Sequence, residues 1–409
     1  MHSAGRTPKV LRSGTHRSQS LDETLTKVLR FAPVMGITRV ANVTGLDCLG
    51  IPVVMVCRPN SRSVAVSQGK GIDLASARVS GLMEAAELYH AEAITLPLRL
   101  GTYEELRYEN NVVDIEELPR SSGSHFHPNL RLLWCEGRDL VSEETVLVPY
   151  EIVHTNYTVP FPDGHGCFIA SSNGLASGNR VVEAISHGIC EVVERDATTL
   201  WKLRDQEKCD DNRLVLGSVE DAGCREIISK FARAGLSVGV WDITSDVKLA
   251  AFACFIVPQE ENTMWHSSVD AGYGCHPDRR VALLRALTEA AQARLTVISG
   301  ARDDVPRAAY EQCLNPDVIS TYRQRLFRSR PSRSFADVPS YDGGTFEDDI
   351  DWELNCLNRI GITQVIVVNL TKPEFGIPVV RVIVPGLEPI FGAGYVAGGR
   401  GRRMLAADA

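Results

Sequence analysis

One arrangement of residues recurs three times in this chain and limits the folds open to it. "MGITRVANVTGLDCLGIPVVMVCRP" from Met35, "AGLSVGVWDITSDVKLAAFACFIVP" from Ala234 and "IGITQVIVVNLTKPEFGIPVVRVIVP" from Ile360 follow one plan. Each opens on a glycine, runs into a strand-like apolar stretch, passes a polar turn containing threonine, and returns as a second apolar strand. A helix-like stretch precedes each copy: "LDETLTKVLRFAPV", "CREIISKFAR" and "DDIDWELNCLNR". Glycine just past a helix marks its stop, and runs of β-branched residues between turns mark strands. Repeated units of this kind share one core. The sequence therefore predicts an α/β fold: a single large domain over residues 21–390, built from pseudo-repeated helix–strand–strand units. Residues 1–20 form a basic arm before it, and 391–409 a glycine-rich tail expected to be mobile. Residues 301–348, rich in Asp, Arg, Ser and Pro, read as an irregular surface excursion.

Between the repeats lie three long helical patterns, at about Ile72–Ala93, Asn179–Leu203 and Pro277–Ser299. The first is apolar nearly all round, as a buried helix is, yet Ser80, Glu84 and Glu87 fall within roughly 60° of one another. The second places Asn179, Glu183, Glu191 and Glu194 within roughly 120°, with Arg195 at the edge. The third sets Arg285 and Glu289 four apart, with Gln292 near the same face. One such stripe is ordinarily a solvated face, and Arg285–Glu289 alone an ordinary helical ion pair. Three stripes set among Ala, Val, Ile and Leu point instead to a shared enclosed site.

A carboxylate in an apolar setting must find a cation or a proton. Lysine is scarce near these helices apart from Lys70, so divalent cations are the natural partners. Hard oxygen donors suit Mg²⁺, which commonly bridges carboxylates to nucleotide phosphates. Arg195 and Arg285 are then placed to clamp phosphate oxygens. Neither G-x-x-x-x-G-K-[ST] nor G-x-G-x-x-G after a strand occurs, and "SQGKGID" is only a weak phosphate-compatible turn.

Composition narrows the classes further. The net charge of −8 gives no global attraction to nucleic acid or anionic membranes. No apolar run reaches the roughly 18 residues that span a bilayer, and the first 20 residues lack the apolar core of a secretory signal. The expected compartment is the cytoplasm. The 11 cysteines show no C-x-x-C spacing, so reduced, mostly buried thiols are expected, none an essential nucleophile.

The three motifs, in this order, resemble those of the YcaO-domain proteins: S-x-x-x-E-x-x-E at Ser80, Glu84 and Glu87; N-x-x-x-E-(x7)-E-x-x-E-R from Asn179 to Arg195; and "RALTEAAQAR" with Arg285 and Glu289. The resemblance covers about Arg17 to Pro389. It implies that Ser80, Glu84, Asn179, Glu183, Arg195, Arg285 and Glu289 contact ATP and that Glu84, Glu87, Glu183, Glu191 and Glu194 hold its Mg²⁺. Lys70 is placed with the nucleotide ligands, and "GTHRSQSLDET" looks like the family's nucleotide-contacting arm, which brings in Arg17 and Thr24. The family activates a peptide-bond carbonyl: a nucleophile adds, the oxyanion takes the γ-phosphoryl of ATP, and loss of phosphate leaves an azoline, thioamide or amidine. Azoline-forming members commonly end in P-x-P-x-x-P, whereas this chain ends "GRGRRMLAADA". "GITRVANVTGLDCLGIPV" and "GKGIDLASARVSGLMEAAELYHAE" look most like the branch acting with a TfuA partner, which makes thioamides from sulfide in a precursor peptide. A homodimer is the oligomeric state the resemblance implies. An azoline-forming cyclodehydratase, a non-catalytic partner protein of the same fold, and an unrelated Mg²⁺-dependent hydrolase are the alternatives.

Overall fold

A computed structural model describes residues 5–162, 164–205, 209–260, 268–392 and 394–408. The first unit starts with helix α1 (Leu21–Phe31), whose N-terminal Ser20 and Glu23 close a reciprocal capping box. Strands β1 (Arg39–Asn42), β2 (Val53–Cys57) and β3 (Val66–Lys70) follow as an antiparallel meander, and helix α2 (Leu74–Glu92) packs against β3. Strand β4 (Arg99–Thr102), the one-turn helix α3 (Tyr103–Leu106), and strands β5 (Arg131–Asp139) and β6 (Thr145–Pro149) come next, then β7 (Leu175–Ser177) and helix α4 (Val181–Leu203). The second unit repeats the first: helix α5 (Ala222–Arg233), strands β8 (Leu236–Asp242), β9 (Ala250–Pro258) and β10 (Asp270–His276), then helix α6 (Arg279–Ser299). Helices α7 (Arg307–Cys313) and α8 (Pro316–Arg328) follow, then α9 (Phe346–Arg359), β11 (Ile366–Asn369), β12 (Val379–Ile383) and α10 (Gly399–Asp408).

The repeats predicted from the glycine-led strand pairs are present. β1–β2, β8–β9 and β11–β12 are all antiparallel neighbours. Gly36, Gly235 and Gly361, which open the three copies, all have positive φ (72°, 71° and 86°), a conformation that costs glycine nothing. The third unit is assembled out of chain order. α9, β11 and β12 take their third strand, β7, and its helix, α4, from much earlier in the chain, through antiparallel pairing of β12 with β7 across more than 200 residues. β5 pairs with the far edge of β11, so β4, β5 and β6 widen this sheet to order β4-β5-β11-β12-β7, with β6 beside β5.

The long helices then close a ring. α2 packs on its own β3 and on β7; α4 on its own β7 and on β10; α6 on its own β10 and on β3. Glycines permit the close helix–strand approach: a Cβ at Gly69 would lie 2.0 Å from the Ala77 carbonyl oxygen, and one at Gly272 2.2 Å from the Ala290 nitrogen. The apolar core is divided around this ring into separate buried clusters, so no single slab of side chains fills its centre.

Two expectations need correction. Residues 301–348 contain helices α7 and α8, whose periodicity is hidden by a strongly polar surface. The tail is not free either. Its glycines let the chain fold tightly around Glu388, and Arg400 on α10 is buried against Asp196 and Asp246.

Candidate active site

The ring encloses a cavity of about 710 Å³. α2 supplies Ser80, Glu84 and Glu87; α4 supplies Glu183, His187, Glu191, Glu194 and Arg195; α6 supplies Arg285, Glu289 and Gln292. Lys70, at the end of β3, and Arg17, on the N-terminal arm, add to the charged lining, as do Arg302 and Asp304 from the segment after α6. Three stripes far apart in sequence thus face one space. Thr24 and Asn179, expected among the nucleotide ligands, are not among the lining residues. Both are buried behind the wall, where Thr24 Oγ1 lies 3.1 Å from Asn179 Oδ1 and Asn179 Nδ2 3.5 Å from Glu183 Oε1. They buttress Glu183, Thr24 reaching from α1, which packs along α2, to Asn179 just ahead of α4.

The carboxylates are oriented from the main chain outward. Ser177 donates its N–H and hydroxyl to Glu87 Oε1 at 2.9 and 2.6 Å. Ser18 does the same for Glu183 Oε2 at 3.0 and 2.6 Å, with Arg17 3.6 Å from the other oxygen. Glu289 accepts from Tyr273 N–H at 3.2 Å and pairs with Lys70. Arg195 lies 3.3 Å from Glu194 and 3.9 Å from Glu191. Arg285 donates to the Cys275 carbonyl at 3.3 Å.

Glu84, Glu87, Glu191 and Glu194 are open towards the cavity and densely surrounded by protein, so desolvation governs the acidity of these four. It pushes Glu84 up to about 7, Glu87 up to about 8 and Glu194 up to about 7, with neighbouring carboxylates adding to each. Glu191 is raised for the same reason, opposed by Arg195 and Arg381. Burial would also raise Glu289, but Lys70 and Arg195 outweigh it and hold that group below its ordinary value. The protein alone thus leaves excess negative charge desolvated, a donor set that fits divalent cations. Lys70 borders the cavity paired with Glu289, and Arg17 and Arg285 border it beside buried histidines. Burial holds His187 and His276 well below the ordinary histidine value, with Arg285 adding to both and Arg17 to His187.

Two tighter groups of potential ligand atoms occur among the described residues, His16–His276–Asp349 and His16–Asp278–Asp342. Neither has the character of a cation site. Lys9 Nζ already lies 2.8 and 2.7 Å from the two oxygens of Asp349, both side chains being inaccessible, and His276 Nδ1 accepts the Asp278 N–H at 2.9 Å. Arg280 pairs with Asp278 and Asp342.

His16, His187, Tyr157, Tyr273, His276 and Arg302 also line the cavity and were not singled out from sequence for the site. His187 was findable, since it lies four residues from both Glu183 and Glu191 on one helix face. Tyr157 and Arg302 come from irregular connections that carry no periodicity.

A cavity of converging carboxylates and arginines, with no glycine-rich phosphate loop, defines a class that holds an anion through metal ions and side chains. The chain belongs to the YcaO family: the family model, described as an ATP- and Mg²⁺-binding YcaO cyclodehydratase, matches residues 68–388. ATP and Mg²⁺ are the cofactors of that family. A protein of Rhizobium leguminosarum bv. trifolii, described by its position in the tfuA 3′ region, is 36% identical over 408 residues, covering 94% of this chain and 93% of its own length. A protein of Methanothermobacter thermautotrophicus is 34% identical over 368 residues, with 87% and 90% covered. Among solved structures, YcaO from Methanopyrus kandleri, bound with AMPPCP and Mg²⁺, superposes with a TM-score of 0.72 at 23% identity over 93% of this chain and 95% of its own. A heterocyclase in complex with substrate and cofactor gives 0.79 at 22% identity over 96% of this chain, which spans 55% of that longer protein. Both share the mixed α/β fold described above.

Proposed function

We propose that this chain activates a backbone amide of a ribosomally made precursor peptide by ATP-dependent O-phosphorylation, and that with a TfuA-like partner and sulfide it yields a thioamide. The observation that carries the reading is the near full-length similarity to a protein encoded beside tfuA. The cavity supports the chemistry, because phosphoryl transfer depends mainly on positioning and charge neutralisation. Bound ATP would supply the phosphoryl group and Mg²⁺ the charge that offsets it. Glu84, Glu87, Glu183, Glu191 and Glu194 would hold the metal ions. Arg17, Lys70, Ser80, Arg195 and Arg285 would orient the phosphates, Arg195 and Arg285 acting on the group transferred, with Glu289 steadying Lys70 and with Thr24 and Asn179 steadying Glu183 from behind. In balance, amide, sulfide and ATP give thioamide, ADP and phosphate; the amide oxygen leaves on the phosphate. A cytoplasmic homodimer is part of this reading.

A second reading is favoured by the heterocyclase likeness: azoline formation, in which a substrate side chain replaces sulfide. Mass spectrometry of a precursor treated with the chain, ATP, Mg²⁺, sulfide and the partner decides between them. Exchange of one oxygen for one sulfur is expected. Loss of one water, with no sulfur gained, assigns the chain to the azoline-forming type, and neither change, with no ATP consumed, makes it a non-catalytic partner.

A further inference from the structure

The three helix–strand–strand units are alike down to single hydrogen bonds. Just past the first strand of each, one residue donates its N–H to the facing strand: Val43 to the Val53 carbonyl at 3.1 Å, Ile243 to Ala251 at 2.9 Å and Leu370 to Val379 at 2.8 Å. The threonine that follows accepts an N–H in return on its hydroxyl, Thr44 from Val53, Thr244 from Ala251 and Thr371 from Val379. These bonds fix which residues correspond, and they make Val40, Val240 and Val367 counterparts. Alternate residues of an antiparallel strand turn their N–H and C=O towards the partner and away from it. With Val43 facing β2, Val40 and Asn42 face outward.

In two of the units this outward edge is filled by another stretch of the same chain. On β8 the Val240 carbonyl accepts the Leu214 N–H at 2.8 Å, and Asp242 N–H donates to the Asn212 carbonyl at 3.0 Å, an antiparallel bridge between Trp241 and Arg213. On β11 Val367 faces Arg138 of β5, again antiparallel, and Leu140 N–H donates to the Val365 carbonyl at 2.8 Å. Among the described residues β1 pairs with β2 alone, and no main-chain bond reaches Val40 or Asn42 from the other side. Neither outward residue carries a charge, and β1 contains no proline, so the usual guards of an unpaired edge are missing.

We infer that the bare edge of β1 binds an extended segment of the peptide substrate by strand addition, antiparallel to β1 as the two corresponding edges are filled. This assignment rests on the peptide substrate proposed above and adds where that peptide is held. The filled edges define the occupant as a short extended run of main chain. An edge of four residues spans only about 13 Å, too little for the roughly 1,200 Å² of a stable contact between two folded proteins, but enough to set the register of a peptide. Direction follows as well. An antiparallel peptide leaves β1 with its C-terminal side at Arg39, level with Cys57 at the end of β2. There the chain turns into β3 through residues 58–65, and Val64 of that turn lines the cavity. The docked segment therefore lies upstream of the amide that is modified.

The test is amide hydrogen exchange on the full chain, with the precursor peptide modified in the mass-spectrometric assay as the probe. Should no peptide be modified, the functional reading falls and this inference with it. Given a modified peptide, a saturating amount of it should slow exchange of the Val40 and Asn42 amides. Val40→Pro removes one outward N–H and leaves the bonds to β2 in place, as proline does on an edge. By fluorescence anisotropy of the labelled peptide it should weaken binding by roughly fivefold or more, the worth of one main-chain hydrogen bond, with Mg²⁺-dependent binding of an ATP analogue unchanged. Unslowed amides, or full peptide affinity in Val40→Pro, overturn the inference and leave the functional reading intact. Protection that needs no peptide and rises with protein concentration gives the edge to a second copy, and protection by the TfuA-like partner alone gives it to that protein; either result overturns the inference. Should Val40→Pro not fold, the exchange measurement on the wild type decides.

Discussion

Single side chains in this cavity tie stability to pH in a direction that can be worked out. Glu84, Glu87 and Glu194 have folded-state pKa values raised to about 7, 8 and 7 by burial, well above the ordinary value of a glutamate in the unfolded chain. A raised carboxyl makes the native state bind more protons than the unfolded one, so its stabilising effect is lost as pH rises through the folded pKa. The buried histidines work in the opposite sense, being lowered by burial, but their effect is complete once pH exceeds the unfolded value near 6.5. Between pH 7 and roughly 8.5 the glutamates therefore dominate. The metal-free protein should melt at progressively lower temperature across that range, and Glu87→Gln, isosteric and uncharged, should flatten the slope. Mg²⁺ with nucleotide should stabilise most at the alkaline end, where the carboxylates are already ionised. A scanning-calorimetry series with the same slope for wild type and Glu87→Gln would dissociate Glu87 from this charge balance.

Elements bring those residues together, and the ring depends on how close its helices lie to its strands. Gly274 on β10 packs against α6: a Cβ there would sit 2.2 Å from the Ala282 carbonyl oxygen and 2.6 Å from the Ala286 nitrogen. These are backbone atoms, so no side chain can swing aside. Gly274→Ala must push β10 from α6, the helix that carries Arg285 and Glu289, at an expected cost of about 1–3 kcal/mol. Urea denaturation should show it, and nucleotide affinity should fall with it; a variant as stable as wild type would mean that α6 sits further from β10. The elements themselves were legible in the sequence because each carries its own period: the glycine-led strand pairs, the capped helices, and the glutamate stripes of α2 and α4. What was not legible is the joining of β7 to β12. That pairing crosses more than 200 residues, and "GLASGN" holds no signal for its distant partner. Thr24 and Asn179 show the opposite limit: the family resemblance placed them among the nucleotide ligands, but only packing decides which layer of the wall a side chain occupies.

The molecule as a whole ties its C-terminal segment to the candidate active site. Asp196 directly follows Arg195 on α4 and is wholly buried, facing away from the cavity into a clasp built around Glu388 and Arg400. Arg400 grips it with two hydrogen bonds, Nε to Oδ1 at 2.9 Å and Nη2 to Oδ2 at 3.0 Å, while Glu388 N–H donates to Oδ1 at 3.0 Å. Glu388 in turn accepts from Tyr395 hydroxyl at 2.7 Å, Gly398 N–H at 3.0 Å and Gly401 N–H at 2.6 Å, which fastens the start of α10. Thr199 Oγ1 adds a bond of 2.6 Å to the Pro389 carbonyl. The clasp therefore holds one turn of α4 from behind while Glu194 and Arg195 project in front. Removing one partner of a buried ion pair leaves an uncompensated charge, which typically costs about 3–5 kcal/mol. Arg400→Ala should lose about that much in denaturant unfolding, because Asp196 has no route to water. Arg400→Met combined with Asp196→Asn should recover a large part of it, since the charge to be compensated is gone and the bulk is kept. The double variant should still bind the ATP analogue more weakly than wild type, for its α4 is packed in place but no longer gripped. Full recovery of both stability and affinity would show that the clasp serves folding alone; a stable Arg400→Ala protein would show that Asp196 is not sealed by the tail.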